Sequence, residues 1–369
     1  MRLDEIELFH LRMRLKQPFE TSFGVQDMRE SIILRLRGEG LEAWGECVAD
    51  QSPGFSYETV GTAWHILKDF MGPAILGRDV VNIEAFLALL KGFQGHPLAR
   101  AGLEMAYWDL AGKAKGQSLR EMLGGSHEAV QVGVSVGIKK DLSTLNKSIE
   151  KYLDAGYRRI KVKIKPAKDV DVTRAIREHF PSLRLQVDAN SAYRIEDSDL
   201  IKRLDDLELE MIEQPFAEDD LVDHSKLQSQ LRTAICLDES IKCLRHARQA
   251  NEIGACKIIN IKPGRVGGLS EALRIHDYCL GVSIPVWCGG MLETNIGRAS
   301  NLAIASLPGF TLPGDISASE RYYDEDIAEP EFILNEDSSI DVPHKPGLGV
   351  EVVQESVQKF TLRRETIKA

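Results

Sequence analysis

The sequence predicts an α/β protein: a (β/α)7β TIM-like barrel with an N-terminal α+β capping domain that the C-terminal tail completes. The first observation behind this prediction is a change of pattern near residue 125. Strands are followed by helices before it, whereas short β-branched runs alternate with amphipathic helices after it. The second is the number of those runs, because eight parallel strands are the number that closes such a barrel.

The capping domain is predicted from strand patterns at residues 2–13, 31–37 and 41–48. Gly38, Glu39 and Gly40 separate the last two strands and are typical of a hairpin turn. Helical periodicity then covers residues 57–71, 83–93 and 97–115, and the last of these helices opens with a proline. We place this α+β domain at residues 1–125.

The barrel strands are predicted from eight short runs. They are QVGVSVGI from Gln131, RIKVKI from Arg159, LRLQVDAN from Leu183, LEMIEQ from Leu209, AICLDES from Ala234, KIINIKP from Lys257, IPVWCGG from Ile284 and FTLPGD from Phe310. Seven helical segments separate them without hairpin turns, which favours parallel pairing. We place the barrel at residues 126–318. Residues 319–369 lack this alternation and are predicted to return to the capping domain.

Charge and composition exclude several classes of protein. A formal net charge of -10 argues against binding to nucleic acid or to an anionic membrane. No apolar run has the length of a signal peptide or of a membrane span, and the six cysteines form no CxxC pair. We therefore expect a cytoplasmic protein without a nucleic-acid or membrane partner. Separately, we expect a homo-oligomer.

Five polar residues recur at a nearly constant interval along the predicted barrel. Lys163, Asp188, Glu213, Asp238 and Lys262 are separated by 25, 25, 25 and 24 residues. This interval is about the length of one strand–helix unit, so each residue reaches the same height of the barrel. The C-terminal ends of barrel strands are where such enzymes carry their catalytic residues.

Each of these residues has an ordinary structural alternative. A single aspartate after a strand is more often a helix N-cap, and a single lysine in a strand usually faces water. However, Lys161, Lys163 and Lys165 alternate with Val162 and Ile164 in a strand that should be covered on both faces. The first two lysines therefore require a functional reason, whereas Lys165 lies beyond the predicted strand end and is expected to be solvated.

The three carboxylates predict a metal site. Asp188, Glu213 and Asp238 come from adjacent strands, and their charges would repel one another without a cation. Ligation by oxygen alone favours Mg²⁺, with Mn²⁺ as a substitute. Asn190 shares the face of Asp188 and either orients a ligand or substrate or caps a loop. Glu239 is either a partner of the site or part of the following turn.

The two lysines of the repeat should face each other, because three metal-bearing strands lie between theirs. Such an arrangement suits proton transfer at a carbon next to a carboxylate, where a metal stabilises the enediolate that forms. A lysine base has an ordinary pKa near 10.4, and Lys161 together with the metal is expected to lower it. The substrate is therefore expected to be a small carboxylate.

The motifs as a set are similar to those of a known family. They are FETSFGVQ, RIKVKIKP, QVDANSAY, IEQPF, ICLDES, NIKPGRVGG, VWCGGMLETNIGRA and LPGDISAS. On these residues the chain resembles the o-succinylbenzoate synthase/N-succinylamino acid racemase family, in the muconate-lactonizing subgroup of the enolase superfamily. The resemblance runs from about residue 2 to beyond residue 349, nearly the whole chain.

The resemblance implies a role for each site residue. Lys163 and Lys262 would be the acid/base pair, and Asp188, Glu213 and Asp238 would bind Mg²⁺. Residues 20–26 would cover the substrate as a mobile lid. The remaining residues implied near the substrate or behind the metal are Lys161, Asn190, Glu239, Thr21, Ser22, Phe23, Gly290 and Met291.

The resemblance also implies the reaction, with alternatives. The leading one is the syn-dehydration of 2-succinyl-6-hydroxy-2,4-cyclohexadiene-1-carboxylate in menaquinone biosynthesis. Racemisation of N-succinyl- or N-acylamino acids uses the same enediolate, and the sequence leaves open which reaction is physiological. Dipeptide epimerisation and muconate cycloisomerisation are disfavoured by the GGMLET and FETSF segments. A binding barrel without catalysis is disfavoured because all five repeat positions are filled.

Overall fold

The structure is a computed structural model that describes residues 1–22, 24–166 and 169–369. Its N-terminal part begins with three antiparallel strands, β1 (Leu3–Thr21), β2 (Gly24–Gly38) and β3 (Leu41–Cys47). Gly38 pairs with Leu41, so the hairpin turn lies where the sequence predicted it. Strand β1 is long because its C-terminal end continues beyond the sheet toward the barrel as one arm of a second hairpin with β2.

Helices cover one face of this sheet. They are α1 (Val60–Ile66), a π-helical turn (Leu67–Met71), α2 (Gly72–Ile75), α3 (Ile83–Leu90), α4 (Pro97–Lys115) and α5 (Leu119–Leu123). Helix α4 begins at a proline, as predicted, and ends before Gly116, whose φ of +66° suits a residue without a side chain. A Cβ on Gly102 would lie 2.7 Å from the backbone nitrogen of Cys47, so α4 approaches β3 almost backbone to backbone.

The second part is the barrel. Its strands and the preceding short strand are β4 (Ala129–Gln131), β5 (Val134–Val136), β6 (Arg159–Lys163), β7 (Arg184–Asp188), β8 (Ile212–Glu213), β9 (Ile235–Leu237), β10 (Ile258–Ile261) and β11 (Val286–Cys288). Its helices are α6 (Leu142–Asp154), α7 (Asp169–His179), α8 (Ser198–Lys202), α9 (Leu221–Gln228), α10 (Leu244–Glu252), α11 (Pro263–Val266), α12 (Leu269–Gly281) and α13 (Asn295–Ala305). Strands β5 to β11 are parallel neighbours in chain order, so the predicted strand–helix alternation is confirmed.

The eighth strand position closes the ring by single contacts. Phe310 bridges to Val286 of β11, and Gly314 bridges to Val132 ahead of β5. The sequence predicted a regular strand here, and this detail is wrong. Pro313 has no N–H to donate, so a continuous hydrogen-bonded ladder cannot pass through this segment. The segment nevertheless lies between the seventh and first strands, which confirms the (β/α)7β barrel.

The C-terminal tail returns to the cap, as predicted. It contains β12 (Ala328–Glu329), β13 (Ser339–Asp341), β14 (Glu351–Val352), α14 (Gln354–Phe360) and β15 (Thr361–Lys368). Strand β13 pairs with β4, and β15 adds to the edge of the cap sheet by pairing with β1. The Asp109 carboxylate of α4 also accepts a hydrogen bond of 2.8 Å from the backbone nitrogen of Leu348.

The cap sheet is buried on both faces, which explains its dense apolar sequence. Leu3, Ile6 and Leu8 pack in the core beneath the cap helices, whereas Leu11 and Met13 pack in the larger core that includes the barrel. The cap and barrel are therefore joined by a shared apolar interface. None of the helices in the described residues is long and apolar enough to cross a membrane.

Candidate active site

The five repeat residues lie together at the C-terminal ends of the barrel strands. Lys163, Asp188 and Glu213 are the last residues of β6, β7 and β8, and they are direct neighbours in register. Asp238 and Lys262 immediately follow β9 and β10. Since the side chains of these positions point into one end of the barrel, five strands contribute to a single site.

The carboxylates of the site are paired with cationic side chains. Lys163 Nζ lies 2.6 Å from Asp188 Oδ2, and Lys262 Nζ lies 2.7 Å from Asp238 Oδ2. Arg265 makes a further ion pair with Asp238. Within the described ranges, no three acidic, histidine or cysteine side chains form a preformed metal cluster. Lysine ammonium groups thus provide the positive charge that balances Asp188 and Asp238.

Burial and neighbouring charges set the protonation of these groups. Burial alone would raise the pKa of Asp188, but the ammonium charges of Lys163 and Lys161 outweigh it and hold this pKa well below its usual range. The pKa of Glu213 is raised by burial and then by the charge of Asp188. Burial would lower the pKa of Lys161, but the charges of Asp315, Glu213 and Asp188 keep it well above its ordinary value.

The donor set nevertheless fits a hard divalent cation. Asp188, Glu213 and Asp238 are almost completely buried, carry only oxygen donors and come from three neighbouring strands. A buried carboxylate oxygen, Oε2 of Glu239, has no hydrogen-bond partner beside them. Three buried carboxylates on neighbouring strands, with an unpaired carboxylate oxygen nearby, are chemically suited to an added divalent cation.

Asn190 links the base, a carboxylate and Glu239. Its backbone nitrogen donates to Asp188 Oδ1 at 3.0 Å, and its side-chain oxygen accepts from Lys163 Nζ at 2.7 Å. Its Nδ2 donates to Glu239 Oε1 at 2.9 Å. Asn190 has a φ of +44°, a left-handed conformation that asparagine tolerates better than most residues. Glu239 is therefore linked to Lys163 through the side chain of Asn190.

A cavity of about 320 Å³ lies between the cap and this end of the barrel. The barrel contributes Lys161, Lys163, Lys262 and Asn190 to its lining, and the cap contributes Phe55, whose ring lies 4.6 Å from Lys262 Nζ. The three carboxylates of the repeat are not part of the lining. The lining does contain other acidic residues, among them Asp50 and Asp315, so the lysines supply the local positive charge that an anionic substrate needs.

The predicted lid loop closes one side of the cavity. Thr21 is buried in the lining, and its hydroxyl donates to the carbonyl oxygen of Gly24 at 3.4 Å. Ser22 Oγ donates to the carbonyl oxygen of Asn190 at 3.2 Å, which joins the loop to the barrel. Phe23, the third predicted loop residue, lies outside the described residues.

Gly290 and Met291 form part of another wall. The backbone nitrogen of Met291 donates to Glu293 Oε2 at 2.8 Å, which fixes the bend after β11. A Cβ on Gly290 would lie 2.6 Å from the carbonyl oxygen of Asp315, so only glycine permits this wall to touch the eighth strand position. Both residues line the cavity, and their contact with substrate remains a prediction.

Sequence reasoning missed several charged residues of the site. Asp315 lines the cavity and pairs with Arg159 and Lys161. It ends the FTLPGD run, so the strand-end argument applied to the earlier strands would have found it. Arg159 shares the inward face of Lys161, two residues earlier. Arg265 was overlooked because it follows its strand within the short helix α11, which turns it back under Asp238.

Two family models match the chain. Residues 4–124 match the mandelate racemase/muconate lactonizing enzyme N-terminal domain, and residues 144–356 match the enolase C-terminal domain-like family. The o-succinylbenzoate synthase of Bacillus subtilis is 49% identical over 98% of both chains. The N-succinylamino acid racemase of Thermus thermophilus is 48% identical over the full length of both.

Solved structures agree with these sequence matches. A member of the enolase superfamily from Listeria innocua superposes with a TM-score of 0.95 at 42% identity, covering 100% of this chain and 99% of that one. The N-succinyl Arg/Lys racemase of Bacillus cereus superposes with a TM-score of 0.93 at 26% identity, with both chains fully covered. The chain therefore belongs to the mandelate racemase/muconate lactonizing enzyme family of the enolase superfamily.

Proposed function

We propose that this protein is an o-succinylbenzoate synthase, which dehydrates 2-succinyl-6-hydroxy-2,4-cyclohexadiene-1-carboxylate in menaquinone biosynthesis, and that the same site racemises N-succinylamino acids. The observation that supports this most directly is the pair Lys163 and Lys262, which line one cavity from strands on opposite sides of three buried carboxylates. Relatives with nearly half of their residues in common carry both names.

In the dehydration, the two lysines have different tasks. Lys163 removes the proton next to the substrate carboxylate, and the electron pair of that C–H bond forms the new double bond of the ring. The C–O bond to the hydroxyl breaks, and the proton on Lys163 leaves with it as water. Lys262 remains an ammonium, and its charge stabilises the enediolate. Each lysine must first release the carboxylate it contacts, Asp188 or Asp238.

We infer that Asp188, Glu213 and Asp238 hold Mg²⁺, with Mn²⁺ as a substitute. A bound divalent cation would supply charge stabilisation for the substrate carboxylate as its α-proton leaves. The carboxylates would then exchange lysine partners for the cation. Lys163 and Lys262 would thereby be available to the substrate in the cavity that they already line.

Racemisation is the second candidate and follows from the same geometry. One lysine removes the α-proton of an N-succinylamino acid and the other delivers a proton to the opposite face. The specific observation in its favour is that both lysines line the same cavity, so each can reach a substrate bound there. The full-length relative from Thermus thermophilus carries this name.

The test is to assay the purified protein with both substrates in the presence of Mg²⁺. We expect dehydration and racemisation to be measurable, each lost in Lys163→Ala and in Lys262→Ala. The control is Lys202→Ala, a lysine of α8 that pairs with Asp199 at 3.1 Å and is not part of the cavity lining. It should keep both activities. A wild-type protein that carries out neither reaction with Mg²⁺ bound would contradict the proposal.

A further inference from the structure

Lys161 lies between three carboxylates. Its Nζ is 3.2 Å from Asp188 Oδ2 and 3.0 Å from Glu213 Oε2, and it is ion-paired with Asp315. The ammonium also lies 4.9 Å from the centre of the Trp287 ring, and the residue is only 2% exposed. Two of its three anionic partners are the residues proposed above as metal ligands, so Asp315 is the partner that is not shared with the cation.

Asp315 is itself held in place by Arg159. Its Oδ1 lies 2.6 Å from Arg159 Nη1, and the same guanidinium donates at 2.8 Å to the carbonyl oxygens of both Pro313 and Gly314. The eighth strand position is not a regular strand, but its backbone is also bonded to both neighbours: the backbone nitrogen of Gly314 donates to the carbonyl oxygen of Gln131 at 2.9 Å, and that of Asp315 donates to the carbonyl oxygen of Cys288 at 2.9 Å. Arg159 adds side-chain hydrogen bonds to this backbone anchoring and fixes the Asp315 carboxylate itself.

The path of Arg159 to this segment depends on a glycine. Arg159 is on β6, and Gly133 immediately precedes β5, the strand between β6 and the eighth position. A Cβ on Gly133 would lie 2.5 Å from Cζ of Arg159, so the guanidinium passes through space that only glycine leaves free. Gly133, Arg159 and Asp315 thus form one arrangement that ends at the Lys161 ammonium.

We propose that Asp315 is a positioning residue: its carboxylate, anchored by Arg159, holds Lys161 at the cavity wall when Asp188 and Glu213 engage a divalent cation. The physical reason is charge. A divalent cation on these two carboxylates repels the nearby ammonium, and Asp315 is the remaining anion that offsets this repulsion. The proposal rests on the proposed function, because it assumes that these carboxylates take a metal.

The first test compares Asp315→Asn with wild type. The substitution keeps the shape of the side chain but removes its charge. We expect Mg²⁺ affinity and kcat each to fall about 10- to 100-fold. Mg²⁺ affinity is measured by calorimetry without substrate. The control is Asp326→Asn, a partly buried aspartate outside the cavity lining that accepts hydrogen bonds from the backbone nitrogens of Asn295 and Ile327. It should lower Tm without changing Mg²⁺ affinity. Unchanged Mg²⁺ affinity and kcat in Asp315→Asn would overturn the proposal.

A double-mutant cycle separates positioning from a structural role. In a Lys161→Met background, Asp315→Asn should cost little further Mg²⁺ affinity, because the ammonium that it neutralises has gone. An equal loss of Mg²⁺ affinity from Asp315→Asn with and without Lys161 would show that Asp315 does not act through Lys161. If Asp315→Asn does not fold, the second variant is Arg159→Gln, which keeps the Asp315 carboxylate but removes its anchor. This variant should also bind Mg²⁺ more weakly than wild type. An unchanged Mg²⁺ affinity in Arg159→Gln would count against the proposal. Wild-type protein inactive on both substrates would defeat the proposed function but leave this cycle interpretable.

Discussion

A buried glutamate that joins the cap to the barrel should make stability depend on pH. Glu46, in β3 of the cap, accepts hydrogen bonds from the N-terminal turn of α13: from Thr294 Oγ1 at 2.7 Å and from the backbone nitrogen of Gly297 at 3.0 Å. A second carboxylate, Glu293, lies beside it. Burial and then the charge of Glu293 raise the pKa of Glu46 from 4.5 to about 7.

The sign and size of the effect follow from linkage. Because the pKa of Glu46 is higher in the folded protein, the folded state binds the proton more tightly than the unfolded chain does. This contribution to stability is complete below pH 4.5 and is lost as pH rises through 7. A shift from 4.5 to about 7 corresponds to about 3 kcal/mol of unfolding free energy.

The assay is urea unfolding of wild type and Glu46→Gln at several values between pH 5 and pH 8, with chelator present. Glutamine cannot titrate, so only wild type loses this contribution as pH rises from 5 to 8. The free energy of unfolding of Glu46→Gln, relative to that of wild type, should therefore increase by about 3 kcal/mol over this range. Glu58, whose pKa is also raised to about 7, is present in both proteins and cancels in the comparison.

The control is Glu121→Gln, at an exposed helix start where hydrogen bonds from Ser118 lower the pKa of the carboxyl. Its stability relative to wild type should not vary between pH 5 and pH 8. If the difference in unfolding free energy between Glu46→Gln and wild type were also the same at every pH, the assignment of this titration to Glu46 would be refuted.

Three further predictions follow from the site. Chelator should abolish activity and Mg²⁺ or Mn²⁺ should restore it, and alanine at any one of the three repeat carboxylates should abolish activity while leaving the fold largely intact; full activity after chelation would contradict the metal assignment. Replacing Thr21, Ser22 and Phe23 together should change the ratio of dehydration to racemisation more than it changes Tm; unaltered kinetics for both reactions would exclude a role for the loop. Gly137→Ala should raise KM, because the new Cβ would lie 2.8 Å from the carbonyl oxygen of Glu20 and would displace the lid loop. Such overpacking typically lowers the free energy of unfolding by about 1–3 kcal/mol. An unchanged KM would show that the loop accommodates the methyl group.

Two properties of the sequence made parts of the fold and site predictable. They are the alternation of side chains between the two faces of a strand and the constant length of one strand–helix unit. Lys161 and Lys163 alternate with buried valine and isoleucine, and this pattern placed both inside a barrel. The constant spacing placed five residues at one end. The boundaries at residues 125 and 318 remain predictions, because the cap and barrel share an apolar core that crosses them.

The contacts that could not be predicted depend on side chains meeting from distant strands. The pairing of Lys163 with Asp188 and of Lys262 with Asp238 depends on distances of a few ångströms, which spacing along the chain does not determine. The passage of Arg159 beside Gly133 is similar, since a glycine in a strand gives no indication of which side chain will use the space.

The central claim is that Lys163 and Lys262 serve opposite faces of one substrate carbon. The direct measurement is exchange of the α-proton of each separated enantiomer of an N-succinylamino acid in D₂O, followed by NMR. A lysine can transfer a proton only over about 3 Å, so a base on one face cannot serve the other. Lys163→Ala should exchange at most one enantiomer, Lys262→Ala at most the other, and neither should racemise. Exchange of both enantiomers at similar rates by either single variant would contradict the two-faced site.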